Sequence, residues 1–220
     1  MALNAEELQN ITGAVQFNNE DSYRPSYNNP PMRVLPVLLD IEHTRQLDLY
    51  RWGIMKQYST FNARADKLDT SKLYKGMVQK RCLVPIQGFY EWKNKEPFYF
   101  KSNDKSEVMY LAGMYRKMKE EGQELHSFTI ITKNANDQIK PFHHRMPVII
   151  KEKDMDIWLN AKWEDAKELL NDSKVELIIY PADKRVGNFR NDDKELIIER
   201  TPVKQQKTIE SFFKTQAKNK

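Results

Sequence analysis

Apolar and polar residues alternate with a period of two over much of this 220-residue chain, and few stretches carry the 3.6-residue period of a helix. Strand-like runs fall at 34–41, 48–54, 82–86, 89–92, 97–101, 108–115, 126–132, 146–151 and 175–181. Helical patterns occupy about 71–79, 152–159 and 163–170. Asn4 followed by Glu7 forms a capping box that opens a short helix over 5–11. Residues 17–33, rich in Asn, Asp, Ser, Tyr and Pro, read as a long ordered loop. Many strands with few intervening helices predict an α+β fold: one domain with a curved, partly closed, mostly antiparallel sheet flanked by short helices. The composition turns to Lys, Gln and Ser near residue 199, so the expected domain spans 1–198 and a flexible basic tail spans 199–220.

Composition changes this picture in three ways. The net charge of +5 is uneven: residues 201–220 carry +4, which leaves the body near neutrality. A uniformly basic, histone-like protein is excluded, and any nucleic acid must be held by a local patch. A single cysteine, Cys82, excludes an internal disulfide and a cysteine-rich zinc site, and fits a reducing compartment. No apolar run approaches the length of a membrane span, and Met1–Glu7 has no signal-peptide character, so no membrane partner is expected.

Three segments carry candidate chemistry. Gly88-Phe89-Tyr90-Glu91-Trp92 sets one carboxylate among three aromatic rings. Desolvation there raises a carboxyl pKa toward the range where it trades protons near neutrality. The plain alternative is an alternating strand. Phe142-His143-His144-Arg145-Met146-Pro147 places an imidazole two residues from a guanidinium, which suits proton transfer beside an anion. Adjacent histidines point different ways in extended chain, and His43 and His126 have no ligand spacing to them, so neither a metal site nor a cofactor is expected. A turn histidine with a structural arginine explains this segment equally well. In Phe61-Asn62-Ala63-Arg64-Ala65-Asp66, Asn62 and Arg64 project to one face of an extended segment, an amide to orient a substrate and a guanidinium to clamp a phosphate. A capped loop is the alternative. Trp52, between Arg51 and Gly53, offers a flat surface for a base or a simple core residue.

These motifs occur in the order seen in the SRAP family, which the chain resembles from about residue 2 to residue 195. The segments that carry the resemblance are Tyr23–Asn28, Arg51–Gly53, Phe61–Asp66, Arg81–Pro85 with Gly88–Trp92, His143–Pro147 and Val186–Asp193. The resemblance implies a DNA-repair protein that recognises abasic sites in single-stranded DNA and forms a covalent thiazolidine crosslink with them. It implies Glu91 as acid/base at the sugar C1′, His143 in proton transfer or crosslink reversal, and Asn62 orienting the aldehyde and amine. Arg64 and Arg145 would hold flanking phosphates, while Trp52 and the loop from Asn28 to Pro31 splay the neighbouring bases.

The family's crosslink uses an N-terminal cysteine at position 2, where this chain has Ala2. Ala2–Leu8 resembles the segment that in the family follows Met-Cys-Gly-Arg-Phe, so about four residues, roughly 13 Å of extended chain, are expected to be absent ahead of it. The covalent step is therefore expected to be inactive in the chain as given, either through truncation or through true loss of the nucleophile. Cys82 alternates with apolar residues and is expected to be an inert core thiol. A non-catalytic adaptor that binds single-stranded DNA and a sliding clamp is the alternative function. A peptidase acting on other proteins is weaker, since nothing resembles a general proteolytic site.

In the tail, Gln206, Ile209, Phe212 and Phe213 have the spacing of a PIP box, the motif that binds the PCNA-type sliding clamp. A short helical turn would set Ile209, Phe212 and Phe213 on one face as a hydrophobic plug. An amphipathic helix docked on its own domain is the alternative. Clamp binding would place the protein at replication forks, in the nucleus of a eukaryote, the cytoplasm of an archaeon or a viral replication compartment.

Overall fold

Period-two patterning becomes twelve strands and four short α-helices in the computed structural model, which describes residues 2–54, 60–104, 106–120, 123–171 and 175–199. The strands are β1 (Gln16–Phe17), β2 (Val34–Ile41), β3 (Thr44–Trp52), β4 (Asn62–Arg64), β5 (Arg81–Ile86) and β6 (Phe89–Lys93). They continue with β7 (Glu96–Ser102), β8 (Met109–Glu120), β9 (Gln123–Asn134), β10 (Arg145–Pro147), β11 (Ile149–Ile150) and β12 (Leu177–Pro181). The helices are α1 (Ala5–Thr12), α2 (Lys72–Lys75), α3 (Met155–Asn160) and α4 (Trp163–Ala166).

Strands β3, β2, β5, β8 and β9 are hydrogen-bonded in that order, and β9 returns to β3 through Arg51↔Ser127 and Trp52↔Phe128. The sheet is thus curved and closed at one point, as the α+β reading expects. That closure is parallel, like the β1–β3 and β4–β9 pairings, while the long hairpins are antiparallel. A second sheet, β12–β7–β6, lies beside it.

Apolar residues fill both faces of the barrel wall. Pro36–Leu39 on β2 and Arg81–Pro85 on β5 are buried throughout, which is why their sequences read as continuous apolar runs. One core cluster gathers Leu38, Leu47, Leu83, Ala112 and Met114 under Trp158 and Trp163 of the helices. The other joins Val37, Tyr50, Cys82, Val84, Leu111 and Phe128 to Phe100 of the second sheet. Trp158 is fully buried and its indole N–H donates to the Cys82 carbonyl at 2.9 Å. Truncating such a side chain costs ~3–5 kcal/mol. Arg81, although buried, is satisfied by the carbonyls of Val78, Trp158 and Ala161, and fastens the end of α3 to the barrel.

The capping box of α1 is present: Asn4 Oδ1 accepts the Glu7 N–H and Glu7 Oε2 accepts the Asn4 N–H, both at 2.9 Å. Elsewhere the helices are shorter than the periodicity predicts. The 71–79 pattern yields one turn ending at Gly76, and 152–159 and 163–170 divide between α-helix and 3-10 helix. The predicted 146–151 strand breaks at Val148, whose N–H bonds Ile131 of β9 while its carbonyl accepts from Ala112 of β8. The clamp-motif residues Gln206, Ile209, Phe212 and Phe213 lie outside the described residues.

Candidate functional site

Strand β9 brings the scattered motifs together. Thr132 is the register partner of both Arg64 on β4 and Pro147 on β10, and Asn134 pairs with Arg145. Alternation along β4 buries Ala63 and turns Asn62 and Arg64 outward on one face, as the i, i+2 spacing predicts. Opposite them runs β6, where Glu91 pairs with Phe98. Asn62, Arg64, Glu91, His143, Arg145 and Trp52 all line one cleft of ≈360 Å³.

Close packing fixes β6. A Cβ at Gly88 would lie 2.3 Å from the Tyr99 ring and 2.6 Å from the Phe100 carbonyl, so only glycine fits where this strand begins. Beyond it the Phe89 ring stacks on Phe100 at 5.1 Å with 12° between planes, and Tyr90 leans on Tyr99. Glu91 is thereby half-buried. Burial pushes its pKa above the usual carboxylate value, and His143 partly offsets the shift. The Tyr90 hydroxyl donates to the Tyr27 carbonyl at 3.1 Å and its pKa is raised by burial.

The cationic side of the cleft has one fixed and one exposed guanidinium. Arg145 donates from Nη1 to Asn134 Oδ1 at 2.7 Å and from Nη2 to the Thr132 carbonyl at 2.5 Å. Burial, and then the neighbouring Arg64, lower its pKa, with Asp66 acting the other way. Arg64 is exposed and forks onto Asp66, Nε at 3.1 Å and Nη2 at 2.8 Å. His143 lies close enough to Glu91 to act on its charge, and its Nδ1 accepts the Arg145 backbone N–H at 3.1 Å. Among the described residues no group of three or more His, Cys, Asp or Glu side chains is arranged to hold a metal ion.

Trp52 ends β3 with its indole N–H on the Phe61 carbonyl at 2.9 Å and its ring edge-on to Phe61. It forms part of a second cavity of ≈410 Å³ that shares Phe89 and Tyr90 with the first. Pro31 lies on this cavity and is exposed. Asn28 is different. Its side chain is buried, and its amide donates to the carbonyls of Val186, Asn188 and Asn191. Asn28 thus fastens the 26–31 loop to the 184–191 segment, and what it sets in place is the wall carrying Pro31 and the exposed Phe189. Tyr90 and Phe189 fall in segments the sequence already marks, whereas Thr132 belongs to the site and nothing local marks it.

Cys82 is fully buried and its thiol pKa is pushed far up by desolvation, in keeping with an inert core residue. The Ala2 N–H donates to Gln87 Oε1 at 3.0 Å, tying the first described residue to the turn that leads into β6.

A small barrel with a carboxylate, an imidazole, an amide and two guanidiniums in one cleft defines a protein suited to acid–base work beside an anion. The sequence matches the family described as SOS response associated peptidase (SRAP) over residues 1–189, and the chain belongs to that family. It is 32% identical over 201 residues to the abasic site processing protein YoqW of Bacillus subtilis, covering 83% of this chain and 89% of that one. It is 29% identical over 232 residues to the abasic site processing protein HMCES of Gallus gallus, covering 83% of this chain and 68% of the relative. A crystal structure of a protein from Bacteroides thetaiotaomicron shares the fold, with a TM-score of 0.67 at 23% identity over 77% of this chain and 82% of that one.

Proposed function

We propose that the protein recognises abasic sites in single-stranded DNA. The observation that carries this is the convergence of Glu91, His143, Asn62, Arg64 and Arg145 on one cleft. A baseless nucleotide costs little to extrude, and its sugar exchanges between a closed hemiacetal and an open aldehyde. Glu91, whose carboxyl pKa is raised by burial, delivers a proton to the ring oxygen as it opens, and His143 takes or returns the second proton. The Asn62 amide orients the aldehyde oxygen. Arg64 and Arg145 hold the flanking phosphates, and Trp52 with the Pro31 wall supports the splayed bases. Relatives named as abasic site processing proteins support the reading.

The thiazolidine crosslink is assigned to the family's N-terminal cysteine. Cys82 is fully buried and cannot stand in for it. The second reading is an adaptor that binds the lesion in single-stranded DNA without holding it covalently. Through Gln206, Ile209, Phe212 and Phe213 the tail would bring either form to a sliding clamp at replication forks.

A denaturing gel tests both readings. This chain, and a version with Met-Cys-Gly-Arg-Phe ahead of Ala2, are incubated with single-stranded DNA carrying one abasic site. A heat-stable shifted band with the extended version only is expected. No band with either sinks the crosslinking reading.

A further inference from the structure

The two guanidiniums assigned to DNA phosphates are not free of anionic company. Asp66 holds Arg64 in a two-point fork at 2.8 and 3.1 Å, and its carboxylate lies 3.8 Å from Arg145 Nη2. That is the geometry a phosphodiester offers: two oxygens on one guanidinium with a second cation alongside. The arginines differ in what restrains them. Arg145 is anchored to Asn134 and Thr132 and its side chain is only 13% exposed, whereas the Arg64 side chain is 59% exposed. Both hydrogen bonds of the Arg64 guanidinium among the described residues go to Asp66.

A structural role accounts poorly for this carboxylate. Asp66 is half-exposed, two residues from its partner, and an exposed ion pair of this kind contributes little to folding. Its effect falls on the neighbouring cations instead. With Asp66 in place the group carries +1, and a bound phosphate must either displace the carboxylate or sit beside it; without Asp66 the group carries +2 and meets a phosphate unopposed.

We infer that Asp66 is an internal competitor for the backbone phosphate at the Arg64–Arg145 pair, weakening the grip on every single strand. It lines a groove that runs past Lys133, Asn136 and Lys167 and shares Arg64 and Arg145 with the lesion cleft. Retention on DNA then depends on contacts that an abasic nucleotide alone makes inside the cleft. The inference rests on the DNA-binding reading proposed above.

Fluorescence anisotropy on Asp66→Asn and Asp66→Ala, with intact and abasic single-stranded oligonucleotides over a salt series, tests it. Melting temperatures near wild type will show that both variants fold. About fivefold tighter binding to both strands is expected. The salt dependence should also steepen by up to about 0.7 in slope, one further phosphate contact on a single strand. Unchanged or weaker binding by both variants, with wild type still binding, would overturn the competitor role and make Asp66 a spectator or a support for Arg64. Wild type that binds neither strand at any salt concentration would instead overturn the DNA reading itself, and the inference with it.

Discussion

His143 Nδ1 lies 3.1 Å from the backbone nitrogen of Arg145 and 3.0 Å from the carbonyl oxygen of the same residue. Each protonation state of the imidazole therefore has a partner. Unprotonated Nδ1 accepts the Arg145 N–H; protonated Nδ1 donates to the Arg145 carbonyl. The ring keeps its place while a proton comes and goes, and Nε2 is left for the cleft. Nitrogen-15 NMR of the neutral side chain should find the proton on Nε2, since that tautomer alone satisfies the Arg145 N–H. A neutral ring protonated at Nδ1 would contradict this assignment.

Glu91 links the site to stability through pH. Its folded pKa is raised, mainly by burial. A raised carboxyl value stabilises the fold below the ordinary glutamate value near 4.5, and that contribution is lost as pH rises through the folded value. Glu91→Gln should therefore melt at a higher temperature than wild type at pH 8, with the gain shrinking toward pH 4. Calorimetry at the two pH values checks the sign. The same variant should lose the proton-delivery step.

Gly88→Ala probes how β6 is placed. The new Cβ would meet the Tyr99 ring and the Phe100 carbonyl, and the carbonyl cannot move aside without disturbing β7. Overpacking of this kind costs ~1–3 kcal/mol. Urea denaturation should register that loss, with weaker abasic-site binding as Glu91 shifts.

Asn28→Ala should act at a distance. The Val186 and Asn191 carbonyls lose the Asn28 donor when the amide is removed, while the Asn188 carbonyl keeps the Asn191 N–H, at a cost of ~1–3 kcal/mol for the groups left unpaired. Single-strand affinity should fall although the amide faces the 184–191 segment. Hydrogen exchange should show faster opening of the 26–31 loop, and wild-type protection there would contradict the role.

Much of this was legible in the sequence, for reasons that mark where legibility ends. Strands such as β2 and β5 were visible because burial demands apolar runs whatever their neighbours. Asn62 and Arg64 could be placed on one face because a period of two fixes it. The three-residue β4 itself was not, since its existence depends on β9 and its apolar content is one alanine. The amide of Asn28 looked available because its partners lie 158 to 163 residues away. Helices over 71–79 and 163–170 were overestimated where Gly76 and 3-10 turns end them early. Asp66 read as a loop residue, and only the approach of β10 to β4 reveals what it faces.

Whether the cleft receives a baseless nucleotide is decided most directly by comparing Kd values for two oligonucleotides. They differ at one central position, an abasic site in one and thymidine in the other, with Asn62→Ala measured beside wild type. The account predicts tighter binding of the abasic strand by wild type and a smaller preference in the variant. Equal affinity of wild type for the two strands would contradict it.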